Sequence, residues 1–269
     1  MGETISETFR TPRPKLSAFN SRRYFCKTNQ INMENIRGHH LCTALLSAKS
    51  IVIDLGACEG EFAQTITNRW GARVFAIEAN PMIFQETYSD ERVSKHNVAI
   101  SDRTGVAKLY LAKNPEGNSL DVRHRDVSAD SCIEVPCATL LDFMAANGIQ
   151  KVDVLKVDIE GAEVALFRSL SDDDLRRFTQ ISVEFHDFID TLGIRREVAT
   201  IKTRMKRLGF WCIVYRKPNI DVLFLNQRAP GIQGWRIRCH QIAVAFLLGW
   251  ADAIGRLKML VKRSLGRNR

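Results

Sequence analysis

The feature that most constrains this chain is the segment 51–81, IVIDLGACEGEFAQTITNRWGARVFAIEANP. It opens with an apolar β-branched run, turns at Gly56 and Gly60, and continues with apolar residues at helical spacing. A second apolar run then ends at Glu78. This order predicts a strand, a glycine turn, a helix and a second strand. Because parallel strands are joined by such crossovers, the segment predicts a βαβ unit within a parallel sheet.

The glycine turn and Glu78 together indicate a ligand site. In open α/β sheets, ligands bind at the carboxyl ends of the strands, where a glycine turn lets the backbone approach them closely. Glu78 ends the second strand, where a carboxylate can accept hydrogen bonds from both hydroxyls of a ribose, so the pattern indicates an adenosine. The candidate cofactor-binding residues are Asp54, Gly56, Ala57, Cys58, Gly60, Glu78 and Ala79 in this segment, with Asp102 and Asp158 farther along the chain.

The charge of the turn distinguishes between two adenosine cofactors. A dinucleotide fingerprint reads G-x-G-x-x-G, whereas this turn reads G-A-C-E-G and follows Asp54. The carboxylates of Asp54 and Glu59 would repel a pyrophosphate but suit a cationic amino-acid portion. We therefore expect S-adenosylmethionine rather than NAD. The alternative is a packing turn in another kind of α/β domain.

The positive charge of the chain lies at its two ends. The 269 residues carry a formal net charge of +9 at pH 7. Residues 1–30 hold six Lys and Arg against two Glu, and residues 229–269 hold eight against Asp252 alone. A chain of this length favours one domain with tails. We predict a flexible basic arm over 1–30, one α/β domain over 31–228 and a basic amphipathic helical extension over 229–269.

The cysteines and the apolar stretches bear on the cellular compartment. The seven cysteines are odd in number and form no C-x-x-C pair, which favours a reducing compartment and argues against a zinc ribbon. No apolar core follows the N-terminal charges, so no signal peptide is expected. The uncharged stretch 239–251 has 13 residues and is too short to span a bilayer. We expect a cytoplasmic protein, with peripheral membrane contact as an option.

The spacing of the apolar residues and the positions of helix-capping and turn residues predict the other elements. Helices are expected over 35–48, 82–88, 140–147, 161–170 and 195–208. Strands are expected over 92–100, 106–111, 133–138, 152–159, 181–185, 210–215 and 220–226. The last two strands form a hairpin. The predicted fold class is therefore α/β, with a mostly parallel seven-stranded sheet, helices on both faces and a terminal antiparallel hairpin.

Polar residues outside the βαβ unit are weaker candidates. His39 and His40 lie in the first of these helices and are expected to be solvated or to cap it. Asp102 follows the third strand, where it either receives the adenine amino group or only makes a turn with its neighbours. The polar loop 113–130 is long enough to form a lid or an acceptor site.

The segment 151–170, KVDVLKVDIEGAEVALFRSL, places charged residues where a buried strand normally has apolar ones. Lys156 and Asp158 are therefore expected to be paired or functional. Glu160 and Glu163 follow at the turn into a helix. They either belong to the same cluster or favour the positive end of that helix.

Several ordered blocks over residues 50–226 resemble the FkbM-type family of S-adenosylmethionine-dependent methyltransferases. These blocks are DLGACEG (54–60), AIEANP (76–81), NVAISDRTG (97–105), TLLDFM (139–144), DVLKVDIEGAE (153–163) and VEFH (183–186). The resemblance implies the Rossmann-like class I methyltransferase fold and O-methylation of a hydroxyl on a sugar, glycan or secondary metabolite. The family usually carries Asn at the position of Cys58, so we expect an altered affinity for the methionine end of the cofactor.

The chemistry of methyl transfer assigns roles to the residues after two neighbouring strands. Transfer from a sulfonium is an in-line displacement that requires alignment, and a hydroxyl acceptor also needs a base for its proton. We expect His186 to be the base and Asp158 and Glu184 to orient it or the acceptor. We expect the positive charge of Lys156 to lower the electrostatic cost of the negative charge at this site. No metal ion is assigned, although a divalent-metal site of Asp158, Glu184 and His186 is a second version of this hypothesis.

A binding protein is the alternative to an enzyme. The same fold can retain a nucleoside without turnover while its basic ends attach it to a membrane or a scaffold. Within 232–263, one helical face holds Phe246, Leu247, Trp250, Ile254, Leu257 and Val261. Basic residues lie opposite, which is typical of a helix on an anionic membrane surface, but docking on the domain or on a second subunit explains the pattern equally well. Nucleic-acid binding is not expected, because no reader motif or stacking platform is present.

Overall fold

The computed structural model describes residues 32–266, and the arm predicted over 1–30 lies outside them. The strands in this range are β1 (Met33–Ile36), β2 (His39–Cys42), β3 (Ile51–Leu55), β4 (Arg73–Glu78), β5 (Val93–Asn97), β6 (Ala99–Ser101), β7 (Gly105–Ala112), β8 (Val127–Thr139), β9 (Val152–Val157), β10 (Phe178–Val183), β11 (Phe210–Arg216) and β12 (Asp221–Asn226). The helices are α1 (Glu61–Trp70), α2 (Pro81–Glu86), α3 (Leu140–Ala146), α4 (Glu163–Ser169), α5 (Asp172–Leu175), α6 (Arg195–Arg207) and α7 (Gly234–Gly266). Short 3₁₀ helices cover Thr43–Leu45, Pro115–Gly117 and Asp190–Leu192.

A seven-stranded sheet in the order β5-β4-β3-β9-β10-β12-β11 forms the centre of the domain. β12 pairs antiparallel with β10 and β11, and all other neighbours in this sheet pair in parallel. The predicted fold class, including the terminal antiparallel hairpin, is confirmed. The chain order reverses between β3 and β9, so the carboxyl ends of these two strands form the switch point at which α/β sheets bind ligands.

Both faces of the sheet are covered, which explains why its strands read as apolar runs. One face packs against α3, α4 and α6 through Phe143, Phe167 and Met205. The other face packs against α1 through Phe62 and Ile66, whose spacing of four residues places them on one side of the helix. The buried central strands thus hold the loops at their carboxyl ends in fixed positions.

Residues 33–42 form a β-hairpin, so the helix predicted over 35–48 is wrong. β1 and β2 pair antiparallel, and the turn residues Arg37 and Gly38 have positive φ values of 52° and 98°. Turns with two positive-φ residues match the twist of a hairpin and favour glycine at the second position. Asn35 Oδ1 also accepts a hydrogen bond from the Gly38 N–H at 3.1 Å. The positive-φ turn and this hydrogen bond therefore favour a hairpin over a helix in this segment.

An insertion between β5 and α3 forms a separate three-stranded sheet in the order β6-β8-β7. The extra strand predicted over 106–111 is confirmed as β7. The strand predicted over 133–138 is the second half of the longer β8. The loop between β7 and β8 returns towards the central sheet, where Ser119 Oγ donates a hydrogen bond to the backbone oxygen of Glu160. The insertion therefore covers the carboxyl end of β9.

Helix α7 packs on β11 through its first turns. Ile237 is fully buried there, and Gln241 Nε2 donates a hydrogen bond to the backbone oxygen of Cys212 at 2.6 Å. Farther along the helix, Phe246 and Trp250 are 64% and 58% exposed. None of the described helices combines the length and the apolar character needed to cross a membrane.

Candidate active site

The loop after β3 depends on a backbone conformation that few residues adopt. Gly56 and Cys58 have positive φ values of 73° and 50°. The N–H groups of Gly56 and Ala57 both donate to the backbone oxygen of Ile77, at 3.0 and 2.9 Å. A Cβ atom on Gly56 would lie 1.8 Å from the backbone oxygen of Asp158. Only glycine lets this loop pass the end of β9 at such a short distance.

Glu78 ends β4 with both carboxylate oxygens held by backbone N–H groups. Oε2 accepts a hydrogen bond from the Cys58 N–H at 3.0 Å, and Oε1 accepts one from the Asn80 N–H at 2.8 Å. Burial raises the pKa of Glu78, while these two N–H groups favour the charged form and oppose that shift. The carboxylate is therefore held in one position beside the glycine loop.

A cavity of about 380 Å³ lies between the glycine loop, the ends of β4 and β9, and the insertion. The predicted site residues that line it are Gly56, Ala57, Cys58, Glu78, Ala79, Lys156, Asp158 and Glu184. Part of its wall is apolar and consists of Ile77, Ile83, Val98, Ala99, Ile100, Leu109 and Leu120. An apolar wall beside a fixed carboxylate suits a nucleoside, whose base is flat and whose ribose donates hydrogen bonds.

The other predicted site residues, Asp54, Gly60, Asp102 and His186, are not among those that line this cavity. Asp54 is fully buried in β3. Gly60, with a φ of 81°, precedes α1. Asp102 is exposed after β6 and accepts a hydrogen bond from Ser101 Oγ at 3.2 Å, a position that matches the turn alternative. His186 is 3% exposed.

Lys156 connects the glycine loop to the end of β9. Its Nζ lies 3.1 Å from Asp54 Oδ1 and 3.8 Å from Asp158 Oδ2, and it donates a hydrogen bond to the backbone oxygen of Gly56 at 2.6 Å. Burial lowers the pKa of Lys156, but the charges of Asp54 and Asp158 outweigh burial and raise that pKa above its ordinary value. Lys156 is thus a buried cation that holds the loop in place.

His186 lies inside a cluster of carboxylates. Its Nδ1 is 2.9 Å from Glu163 Oε1, and its Nε2 is 3.2 Å from Glu160 Oε2, 3.9 Å from Asp158 Oδ1 and 4.0 Å from Glu184 Oε1. Burial lowers the pKa of His186, but the carboxylates, with Glu163 first, outweigh it and raise the pKa to about 10. An imidazole that keeps its proton at neutral pH cannot remove one from an acceptor. This arrangement does not favour the hypothesis that His186 is the base.

Glu184 lines the cavity beside Asp158, whereas His186 is not among the residues that line it. Burial raises the pKa of Glu184 to about 7, and the charge of Asp158 acts in the same direction. A carboxylate with a pKa near neutrality is an effective proton acceptor at neutral pH. The structure therefore favours Glu184 over His186 as the group that removes a proton.

Two histidines that the sequence did not place at the site also reach the carboxylate cluster. His39 Nε2, on β2, is 3.5 Å from Asp158 Oδ2, and His124 Nε2, in the loop between β7 and β8, is 3.2 Å from Glu160 Oε2. Glu160 itself has a φ of 50°, which is uncommon for a residue other than glycine and concentrates at functional sites. Periodicity reveals neither histidine, because each comes from a segment that is remote in sequence from β9.

Two sets of three side chains in the described part of the chain could hold a divalent ion. One set is His39, Asp158 and Glu184, and the other is Asp158, Glu160 and His186. In each set the possible ligand atoms lie within 4.8 Å of one another. The second set differs from the one considered from sequence by having Glu160 in place of Glu184.

A family model described as the methyltransferase FkbM domain matches residues 54–211. The match covers more than half of the chain and includes the glycine loop, Glu78 and the residues after β9. The chain belongs to the FkbM methyltransferase family. The resemblance drawn from the sequence blocks is thus confirmed, and so is S-adenosylmethionine as the cofactor.

Individual relatives of this FkbM protein are distant. Methyltransferase 1 from Beauveria bassiana (strain ARSEF 2860) is 24% identical over an alignment of 191 residues, which covers 62% of this chain and 74% of that protein. A crystal structure of the FkbM methyltransferase from Methylobacillus flagellatus KT is 15% identical over 67% of this chain and 44% of its own, with a TM-score of 0.42. Human methyltransferase-like protein 13 in complex with S-adenosylhomocysteine is 12% identical over 75% and 82%, with a TM-score of 0.41. This chain thus spans less than half of the Methylobacillus protein.

The residues around the cavity fit S-adenosylmethionine. Glu78 is placed to accept hydrogen bonds from the ribose, and the apolar wall suits the adenine. Asp54 Oδ2, fully buried in β3, receives no hydrogen bond from any residue of the described range. The carboxylate of Glu59 in the loop lines the cavity, and a negative charge there suits the cationic amino group of the cofactor.

Proposed function

We propose that this FkbM protein transfers a methyl group from S-adenosylmethionine to a hydroxyl group of a neutral small molecule or glycan. The main support is the position of Glu184, whose carboxylate lines the same cavity as the glycine loop and Glu78. A hydroxyl acceptor loses its proton during the transfer, and a carboxylate in the cavity wall can accept it.

Each group of residues around the cavity has a separate task in this proposal. S-adenosylmethionine, when bound, supplies a methyl group on a sulfonium that the acceptor oxygen displaces. Glu78 and the glycine loop bind and orient the nucleoside, and Lys156 fixes the loop. Glu184 accepts the proton of the acceptor hydroxyl. Glu163 orients His186, and His186 in turn holds the neighbouring carboxylates in position.

The charge of the cavity supports an uncharged acceptor. Among the described residues, the carboxylates that line it are Glu59, Glu61, Glu78, Glu116, Asp158, Glu160 and Glu184. The cations of the described range that line it are Arg37, which pairs with Glu61, and Lys156, which pairs with Asp54. A phosphate or carboxylate on the acceptor would face like charge, whereas sugar hydroxyls can donate hydrogen bonds to these side chains.

The substitution Glu184→Gln tests this proposal, because it keeps the shape of the side chain and removes the proton acceptor. Acceptors are first screened among neutral glycosides and polyols with methyl-labelled S-adenosylmethionine. We expect Glu184→Gln to lower turnover of the best acceptor by about 10²–10⁴-fold, with unchanged affinity for S-adenosylhomocysteine. The matched control is Glu134→Gln, at an exposed position on β8, which should keep full turnover.

Two results would contradict the proposal in different ways. Full turnover by Glu184→Gln would remove Glu184 as the base. Tight binding of S-adenosylhomocysteine without transfer to any acceptor of the panel would favour the alternative, a nucleoside-binding fold without turnover.

We also propose that α7 contacts an anionic membrane surface. Its exposed apolar side chains are Trp235, Ile242, Phe246, Leu247, Trp250 and Ile254. The stretch 229–269 carries eight Lys and Arg against one Asp. A helix that combines an exposed apolar stripe, tryptophan and basic charge has the chemistry that binds anionic lipid headgroups.

Co-sedimentation with vesicles tests the membrane proposal. We expect the full chain to pellet with vesicles that contain phosphatidylserine but not with pure phosphatidylcholine. The double substitution Phe246→Glu and Trp250→Glu should abolish pelleting, while Val106→Glu, which changes an exposed apolar residue on β7, should retain it. Equal pelleting with both lipids would contradict an anionic partner. A dimer that the double substitution dissociates, without vesicle binding, would assign the stripe to a second copy.

A further inference from the structure

We propose that Asp158, Glu160 and His186 form a binding site for one divalent transition-metal ion in the wall of the cavity. Binding of the ion is independent of the methyl-transfer proposal, whereas the role assigned to it below rests on that proposal.

The spacing of the three side chains fits coordination of a single ion. His186 Nε2 lies 3.2 Å from Glu160 Oε2 and 3.9 Å from Asp158 Oδ1, and all three ligand atoms lie within 4.8 Å of one another. Donors bind such ions at about 2.0–2.2 Å, so donors that share an ion lie about 3–4.4 Å apart. Both distances from His186 Nε2 lie within this range.

The imidazole of His186 is oriented as metal-binding histidines usually are. Its Nδ1 lies 2.9 Å from Glu163 Oε1, and Glu163 is fully buried. The same oxygen accepts a hydrogen bond from the Gly161 N–H at 3.0 Å. Because an ionised carboxylate cannot donate, Nδ1 carries a proton, and Nε2 is left to face Asp158 and Glu160. A carboxylate behind the ring fixes the tautomer and raises the basicity of the nitrogen that binds the metal.

His124 provides an independent indication of a ligand at this place. It is 3% exposed, its Nε2 lies 3.2 Å from Glu160 Oε2, and no residue of the described range forms a hydrogen bond with that nitrogen. One oxygen of Glu160 is therefore flanked by two imidazole nitrogens, those of His124 and His186. Glu160 is also held at a φ of 50°. Such a strained backbone persists only where the surrounding structure stabilises it.

The charge of the cluster favours a cation. Asp158, Glu160, Glu163 and Glu184 surround His186 at distances of 2.9–4.0 Å. The nearby cation, Lys156, is closer to Asp54 than to Asp158. Carboxylates brought together away from bulk water need a proton or a metal ion to offset their repulsion. A proton and a metal ion compete for the same Nε2 atom.

The donor set points to a class of ion. Two carboxylates and one imidazole suit first-row ions such as Mn²⁺, Fe²⁺ or Zn²⁺, whereas Ca²⁺ and Mg²⁺ prefer sites made of oxygen alone. Asp158 and Glu160 line the cavity, so an ion between them could bind an acceptor oxygen. There it would lower the pKa of the acceptor hydroxyl and leave Glu184 to take the proton.

Titration of the full chain with Mn²⁺, followed by electron paramagnetic resonance of the free ion, tests the site without any turnover. We expect one bound Mn²⁺ per chain. Glu160→Gln should weaken this binding by at least about tenfold, and Glu134→Gln, at an exposed site on β8, should not change it. His39→Asn removes a member of the other set and none of the three proposed ligands, so it should also retain binding. Unchanged affinity for S-adenosylhomocysteine shows that each variant is folded.

Three outcomes would overturn the proposed site. The first is a wild-type chain that does not bind Mn²⁺. The second is a Glu160→Gln variant that binds Mn²⁺ as tightly as wild type. The third is loss of the ion by His39→Asn while Glu160→Gln keeps it. Failure here is distinct from failure of the methyl-transfer proposal. Methyl transfer that resists chelators in a chain that binds no Mn²⁺ would refute only the metal site, and Mn²⁺ binding without transfer to any acceptor would refute only the proposed reaction.

Discussion

Replacing Gly56 with alanine would test whether the glycine loop must pass the end of β9 without a side chain. At a φ of 73°, a residue with a Cβ atom loses about 1–2 kcal/mol relative to glycine. The added Cβ would also lie 1.8 Å from the backbone oxygen of Asp158, so the end of a buried strand must move. Together, these two effects predict a loss of about 3–4 kcal/mol in the free energy of unfolding.

Gly148→Ala is the matched control for this experiment. Gly148 has a φ of 67°, but a Cβ atom there meets no atom within 4 Å, so only the conformational cost of about 1–2 kcal/mol remains. Urea unfolding gives both free energies from the shift in midpoint at constant slope. Calorimetry with S-adenosylhomocysteine should show wild-type affinity for Gly148→Ala and at least a tenfold loss for Gly56→Ala. Equal unfolding free energies, or unimpaired binding by Gly56→Ala, would refute the reasoning.

Three further substitutions probe the surroundings of the loop. Lys156→Met leaves the charge of Asp54 buried without its partner and should lower the free energy of unfolding by about 3–5 kcal/mol; urea unfolding at the wild-type midpoint would contradict this. Cys58→Asn places a residue that tolerates left-handed backbone at a φ of 50°, so it should stabilise the fold. The midpoint of thermal unfolding should rise by about 2–4 °C for each kcal/mol gained in the free energy of unfolding. Arg37→Ala removes an exposed ion pair with Glu61 and should change the free energy of unfolding by less than about 1 kcal/mol, so a larger loss would show that this pair stabilises the hairpin.

The central sheet and its loops could be predicted because their signals are local. The apolar run before Gly56 and the carboxylate after the second run are read within 30 residues of one another, and parallel strands then force their carboxyl ends to one edge of the sheet. Lys156 and Asp158 were recognisable for a related reason, since charge in a buried strand requires a partner. In the structure, the Nζ of Lys156 lies between the carboxylates of Asp54 and Asp158.

The segments that cover the site could not be placed in the same way. The hairpin at 33–42 resembles a helix in sequence, because its apolar residues also fit a helical period over so short a stretch. Its signal was Arg37-Gly38, and its burial depends on contacts such as that between the Cys42 N–H and Gln180 Oε1 at 2.8 Å, which joins residues far apart in sequence. His124 lies in a polar loop with no period at all, so its approach to Glu160 follows only from the tertiary fold.

The same dependence on tertiary contacts decides the chemistry of the carboxylate cluster. Sequence alone shows an imidazole just after a strand, and an imidazole is the usual choice of base at neutral pH. Its proton affinity is set by the carboxylates around it, however, and here they raise the pKa of His186 to about 10. The hairpin and the insertion each add a further imidazole, His39 and His124, to the same carboxylates. Because these two segments also border the cavity, a change that reshapes the acceptor pocket must alter the charge of the cluster as well. Under the proposed reaction, acceptor specificity and the basicity of Glu184 are therefore coupled, and exchanging the loop that carries His124 should change both.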